Sequence, residues 1–323
     1  MKKGYLILFA AIFGFMTILP LANLNARGKE GNSLLKSDRQ EVSFKVLFAD
    51  GSIKEIPANE YVFGVVAAEM SPECDEQALC AQAVAAYTFA LRKKADRTAC
   101  PPPELKGADI SADYSVDQGF ITREQAREKW GQSADGYEKK IDSVINGTSG
   151  ITVKYNGEYA LTLYHAVSAG RTESAEVVFG SEIPYLVPVQ SVGDILSDRC
   201  CSEVRVNADS FLQKIRELSS DQTIGQSDDF IGQKTCSDSG TVISISLYGK
   251  ELSGSDIRKA FSLRSANFDI QFDGDQNTVT FTVRGYGHLV GMSQNGAEIM
   301  AENGSDFREI LLHYYPGCEI SEG

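Results

Sequence analysis

The sequence predicts an α+β fold, in which helices and antiparallel strands mix without the regular strand–helix–strand alternation of a parallel sheet. Three observations carry that reading. Helical spacing of apolar residues governs 59–70 and the Ala-rich stretch that follows. Alternating apolar and polar residues flank Asn156-Gly157, a dipeptide whose tolerance of positive φ closes two-residue hairpins. Strands and helices do not follow one another in regular pairs, and no internal repeat is visible.

Taken in order, the chain opens with Lys2 and Lys3 before an uncharged run over 4–25. A helix needs about 20 such residues to cross ~30 Å of hydrocarbon. Residues 1–26 are therefore expected to be a signal-anchor with its basic end in the cytoplasm and the body beyond the membrane. A cleaved signal peptide is the alternative, although Leu24-Asn25-Ala26 is a poor exit site. Residues 27–41, polar and containing Gly28, Gly31, Ser33 and Ser37, read as a linker to a domain over 42–317.

Within that domain, 42–47 and 53–56 read as a hairpin about Ala49-Asp50-Gly51. A helix follows from Asn59, taken as its cap, to Met70, and a second restarts at Ser71-Pro72 and runs to about Lys94. Residues 122–131 read as another helix, and 153–166 as strands around Asn156-Gly157. The polar stretch 197–240 reads as loops interrupted by one amphipathic helix carrying Phe211, Leu212, Ile215 and Leu218. Beyond it come a strand (242–247), a short helix (255–261), a strand (278–283), a Gly-rich loop and a helix (293–302). Gly304 ends that helix and Ser305 starts the last one, which stops at Pro316-Gly317.

Composition narrows the function. With 44 Asp and Glu against 31 Lys and Arg, the 323-residue chain carries a formal charge of −13. That balance argues against a nucleic-acid partner, since phosphate binding needs basic residues gathered on one face. The same charge would repel other anionic partners, so their recognition would rest on local hydrogen-bonding groups, with Arg258 or Arg264 nearby, and on little salt dependence. The seven cysteines allow disulfides in an exported body but leave one unpaired, and their connectivity stays open.

Few residues are placed to do chemistry. Glu69 continues the apolar stripe of Val62, Val65 and Val66 on one helix. A carboxyl on an apolar face is costly to ionise, which would raise its pKa toward that of a general acid. A helix-end Glu turned into water is the plainer reading. The loop 285–296 is the second candidate and presents His288, Ser293 and Gln294, or else is a purely structural tight loop. Its G-x-G-x-x-x-G spacing does not fit dinucleotide binding. His165 ends a strand beside a loop, whereas His313 is expected to be packed. No cysteine lies between His165 and Cys200 to share a metal. Asp273-Gly-Asp-Gln-Asn277 lacks the glycine and glutamate of a calcium loop and reads as a turn. A cysteine nucleophile served by His165 or His288 is a further, weaker reading.

Four stretches together resemble one family. They are Val65-Val-Ala-Ala-Glu-Met70 with Ala78-Leu-Cys-Ala-Gln-Ala-Val-Ala-Ala86; the 165–170 loop; Ser253-Gly-Ser-Asp-Ile-Arg258 with Leu263-Arg-Ser265; and 285–296 followed by 310–317. In this order they are similar to the stage II sporulation protein D family of endospore-forming bacteria. The resemblance implies a membrane-anchored, extracytoplasmic lytic transglycosylase of the engulfment stage, with two subdomains of helices and antiparallel strands flanking a substrate cleft. It makes Glu69 catalytic and places substrate contacts at Gln82, Tyr87, Ser168, Tyr286, His288, Ser293 and Gln294. Its substrate would be peptidoglycan glycan strands already stripped of stem peptides by a partner amidase in the same membrane complex. The chain departs from the family pattern at Tyr87, Leu289 and Asn295, where Arg, Gly and Tyr are usual. Some members hold zinc near the equivalent of His165 through nearby cysteines that this chain lacks, so neither metal nor cofactor is expected. The competing function is a non-catalytic glycan-binding activator of a cell-wall amidase.

Overall fold

A computed structural model describes residues 42–225 and 230–322. The segments expected to form an anchor (1–26) and a linker (27–41) lie outside the described residues. Among the described residues no helix is long and apolar enough to cross a membrane, which overturns the membrane-anchored localisation.

Strands β1 (Ser43–Leu47) and β2 (Ile53–Pro57) form the expected antiparallel hairpin. β2 runs straight into helix α1 (Ala58–Glu69), whose first amide donates to the Val42 carbonyl at 2.8 Å. Pro57 therefore occupies the cap position and Asn59 lies inside the helix, a correction to the expected cap. Helix α2 (Glu76–Ala99) starts at Asp75, whose carboxylate accepts from the Gln77 amide, and not at Ser71-Pro72. The intervening residues are held as a turn by the Cys74 amide on the Ser71 carbonyl. Small residues (Ala78, Ala81, Ala83, Ala85, Ala86, Ala90) let α2 be buried on nearly every side, so it is the central post of the domain.

β3 (Ile110–Ser111) joins β1 in parallel. Helix α3 (Arg123–Trp130) begins with a reciprocal capping box between Thr122 and Gln125. Helix α4 (Ala134–Thr148) has no counterpart in the sequence reading. Gly136 and Gly147 interrupt it, and only Ile141, Val144 and Ile145 mark its buried face. β4 (Ile151–Tyr155) and β5 (Glu158–Tyr159) turn through Asn156 and Gly157, both at positive φ, as the dipeptide implies. β6 (Tyr164–His165) pairs in parallel with residues 292–293, and the short helix α5 (Ala175–Phe179) follows.

The stretch 197–240 contains more than loops. β7 (Cys201–Asn207), helix α6 (Ala208–Ser219) and β8 (Ile231–Cys236) occupy it. Each of the two strands sits at the edge of a three-stranded sheet; β8 is largely exposed and shows no apolar alternation, whereas β7 turns Val204 and Val206 to the core and alternates over only those two apolar positions. β9 (Val242–Leu247), β10 (Lys250–Ser253) and helix α7 (Gly254–Ala260) lead to the β11 (Phe268–Asp273)–β12 (Thr278–Arg284) hairpin. β13 (Met292–Ser293), helix α8 (Gln294–Glu302), helix α9 (Phe307–Tyr314) and β14 (Glu319–Glu322) complete the chain. Asp306, not Ser305, caps α9.

Two large apolar cores result, beside a smaller one of Phe44, Val46, Tyr61, Val65 and Ile110 around β1, β3 and α1. One surrounds α1, α2, α4 and α9, with Phe63, Val66, Leu79, Ile141, Ile310 and Tyr315 fully buried. The other is aromatic, built on Phe211, Phe230, Phe261, Phe268 and Phe281 between β7–β12 and α6. Loops tie the two parts together: the amides of Tyr286, Gly285 and Gly287 donate to the carbonyls of Val167 (2.7 Å), Cys200 (2.6 Å) and Arg264 (2.9 Å).

Candidate active site around Glu69

Glu69 is the last residue of α1. A carboxylate at a helix C-terminus faces the negative end of the macrodipole. It is half-buried, and burial raises its pKa above the ordinary carboxyl value. The Gly119 amide, a hydrogen bond with Gln294 and the charge of Lys129 oppose that shift without cancelling it. None of the groups found to shift Glu69 is a carboxylate. The three nearest acids in sequence are partly accounted for elsewhere: Asp75 caps α2, and Glu73 accepts from the Tyr137 hydroxyl at 2.8 Å.

The 118–121 segment reaches this carboxyl because Gly64 has no side chain. A Cβ there would meet the Phe120 ring at 2.3 Å and the Ile121 carbonyl at 2.5 Å. With Phe120 seated on α1, the Gly119 amide donates to Glu69 Oε1 at 2.8 Å. Around it, Tyr164 donates to Gln118 Oε1 (2.8 Å), and Gln118 Nε2 donates to the Tyr61 hydroxyl (3.0 Å). Gln294 Nε2 lies 3.4 Å from Gln82 Oε1, and the buried Gln82 Nε2 has no hydrogen-bond partner. Glu69 thus sits among amides and phenols, with the charge of Lys129 acting on it.

Gly119 invites a direct test. A Cβ at that position would stand 2.8 Å from Glu69 Oε1 on backbone that cannot yield easily. Gly119→Ala is expected to push the carboxyl aside and lower any Glu69-dependent cleavage about 100-fold, with the thermal midpoint nearly unchanged. Cleavage rate and thermal unfolding, measured together, check it.

The structure separates the expected site residues. It gathers Glu69, Gln82 and Gln294. Tyr87 lies instead against Phe44, ring centroids 6.3 Å apart, and is not among the groups surrounding Glu69. Ser168 is fully buried: its amide donates to Asp194 and its hydroxyl accepts from the Gly170 amide. Ser293 is also fully buried, with its hydroxyl capping α8 by accepting from the Gly296 amide at 3.1 Å. Both hold the backbone and are not presented to a ligand. His288 Nδ1 accepts from the Val290 amide at 3.1 Å, and burial beside His165 and Arg258 pushes its pKa down to about 3. His165 is pushed down to about 4 by burial, so both rings are neutral at ordinary pH. Tyr286 is exposed. His313 is half-buried, with Nε2 2.7 Å from the Gln190 carbonyl.

Sequence reasoning missed Gln118, Gly119, Tyr164 and Asp194. The first two lie in irregular chain between β3 and α3, where no periodicity operates. Asp194, fully buried, accepts from the Ser168 amide, the Ser191 hydroxyl and the Asn295 amide group, each at 2.9 Å. The glycines of 285–296 also have a packing explanation: a Cβ on Gly287 would meet His165 Cβ at 2.7 Å, and one on Gly291 the Leu163 carbonyl at 2.1 Å.

All seven cysteines are free thiols. Burial pushes Cys74, Cys80 and Cys318 up to about 12, which disfavours thiolate chemistry at those three. Among the described residues, no three His, Cys, Asp or Glu side chains converge as metal ligands.

Comparison with known proteins agrees with this architecture. Residues 50–155, which include α1, α2 and Gly119, match the family described as SpoIID, stage II sporulation protein. Stage II sporulation protein D of Bacillus amyloliquefaciens is 38% identical over 272 residues, 84% of this chain and 76% of that protein. The chain belongs to the stage II sporulation protein D family. The Bacillus subtilis (strain 168) protein of the same name is 36% identical over 85% of this chain and 77% of its own length. A more distant relative of this SpoIID chain is the amidase enhancer of Bacillus subtilis (strain 168), 23% identical over 80% of this chain but only 40% of that protein.

Proposed function

We propose that the protein is a lytic transglycosylase that cleaves the bond between N-acetylmuramic acid and N-acetylglucosamine in peptidoglycan glycan strands during engulfment in sporulation. The observation that carries this reading is Glu69: one carboxyl with a raised pKa, hydrogen-bonded to the Gly119 amide and to Gln294. Protonated Glu69 would give its proton to the glycosidic oxygen as the C1–oxygen bond breaks. The resulting carboxylate would take the proton of the muramyl C6 hydroxyl as that oxygen bonds to C1. The product end is then a 1,6-anhydro ring, no water is consumed, and Glu69 is protonated again.

A glycoside hydrolase of the usual kind needs a second carboxyl about 5–9.5 Å away, as nucleophile or as base for water. The intramolecular route needs only the one carboxyl, because the muramyl C6 hydroxyl takes the place of water. Gln294 and Tyr164 are the groups we assign to orienting the sugar, with the fully buried Gln82 positioning Gln294 from behind. Release of soluble saccharides from purified glycan strands tests the reading, and strands left intact would contradict it.

The relationship to an amidase enhancer supports a second reading, a glycan-binding activator of a wall amidase. The two part at Glu69→Gln. An activator would keep its full effect on a partner amidase in that variant, whereas a transglycosylase would lose its own cleavage.

A further inference from the structure

Three arginines from separate segments gather at the exposed ring of Tyr286. The guanidinium carbons of Arg264 and Arg199 lie 5.1 and 5.5 Å from the ring centroid, a distance at which cation–π attraction holds them in place. Arg258, half-buried on α7, is close enough to interact with the Tyr286 phenol and with His288. Its one hydrogen bond is a long one, Nε to the Leu263 carbonyl at 3.4 Å.

None of the three takes part in an ion pair among the described residues. A half-buried guanidinium without a counter-charge is costly, and the burial of Arg258 lowers its pKa. The loop bearing Tyr286 is also the one that packs on His165, the neighbour of Tyr164 at the Glu69 site.

We propose that Arg199, Arg258 and Arg264, gathered at Tyr286, receive a carboxylate of the glycan, the free lactyl carboxylate of muramic acid. This rests on the glycan-cleaving reading above. Guanidinium groups bind carboxylates through paired, charge-assisted hydrogen bonds, and the Tyr286 hydroxyl adds a neutral one. The lactyl group is an amide while a stem peptide is attached and becomes an anion only when the peptide is removed. The cluster would therefore distinguish stripped strands from peptide-bearing ones by charge, in a protein whose overall charge repels them.

The test uses the full chain carrying Glu69→Gln, titrated by calorimetry with peptide-free glycan oligomers and with the same oligomers methyl-esterified at the lactyl carboxylate. The free acid is expected to bind about tenfold more tightly, by a margin that shrinks as salt rises. Adding Arg199→Ala and Arg264→Ala, both exposed and so without consequence for folding, should erase that margin and leave the ester's affinity unchanged. Equal affinity for acid and ester, or a margin that survives the double change, would overturn the proposal while leaving the glycan reading intact. Failure of both oligomers to bind would sink that reading as well. Stronger competition from a glycerol-phosphate oligomer than from the free acid would show that the cluster serves phosphodiesters, and the lactyl assignment would fall.

Discussion

Glu69→Gln is expected to lower the rate of glycan cleavage about a thousandfold or more while leaving the fold intact. General acid catalysis contributes roughly 10²–10⁴-fold, and here the same carboxyl is asked to act twice, as acid and then as base. Gln can still accept the Gly119 amide, so the variant removes the proton and little else. The raised pKa gives the pH dependence a sign. The acid form persists to higher pH than in a free Glu, so cleavage should fall on the alkaline side with an apparent pKa above the usual carboxyl range. Stability carries the opposite mark. A carboxyl whose folded pKa is raised costs stability once pH passes through that value, and the cost vanishes below the ordinary Glu pKa. Glu69→Gln should therefore melt no lower than wild type at neutral pH, and any gain should disappear in acid. A variant that unfolds early would show that Glu69 serves structure.

Asp194→Ala is expected to destabilise the fold by about 3–5 kcal/mol, roughly a 10 °C fall in thermal midpoint. The carboxylate is fully buried and takes three hydrogen bonds, from Ser168, Ser191 and Asn295. Ser191 in turn shares a 2.7 Å hydrogen bond with the Tyr314 hydroxyl. Removing the acceptor strands buried donors on the 168–170 loop, on the residues before Asp194 and at the start of α8. That start also carries Gln294, so cleavage should fall further than the thermal shift alone explains. Thermal unfolding at neutral pH checks the first part, and cleavage well below the midpoint checks the second. A midpoint within a degree or two of wild type would mean that water replaces the carboxylate.

What could be read from the sequence follows the physics of each element. The hairpin at Asn156-Gly157 and the strand at Val242–Leu247 were legible because turn chemistry and burial act locally. Glu69 was legible because a carboxyl on an apolar stripe breaks a pattern. Edge strands such as Cys201–Asn207 and Ile231–Cys236 were not: the second is exposed on both faces, and the first shows its alternation only through Val204 and Val206. Gln118 and Gly119 were invisible for a different reason. Their significance depends on Gly64 admitting Phe120 against a helix more than fifty residues earlier in the chain. The resemblance implies ligand contacts at Ser168 and Ser293, yet both hydroxyls accept from backbone amides within the buried loop and cap. The arginines at Tyr286 sharpen what the charge total concealed: a net −13 says nothing about where cations gather.

The central claim is that one carboxyl closes a ring on the substrate without water. Mass spectrometry of the ends released from purified, peptide-free glycan strands tests it most directly. The account predicts saccharides ending in 1,6-anhydro-N-acetylmuramic acid, lighter by one water than the hydrolysis products and resistant to borohydride reduction. Reducing N-acetylmuramic acid ends, carrying oxygen from labelled water, would contradict it and require a second catalytic group beside Glu69.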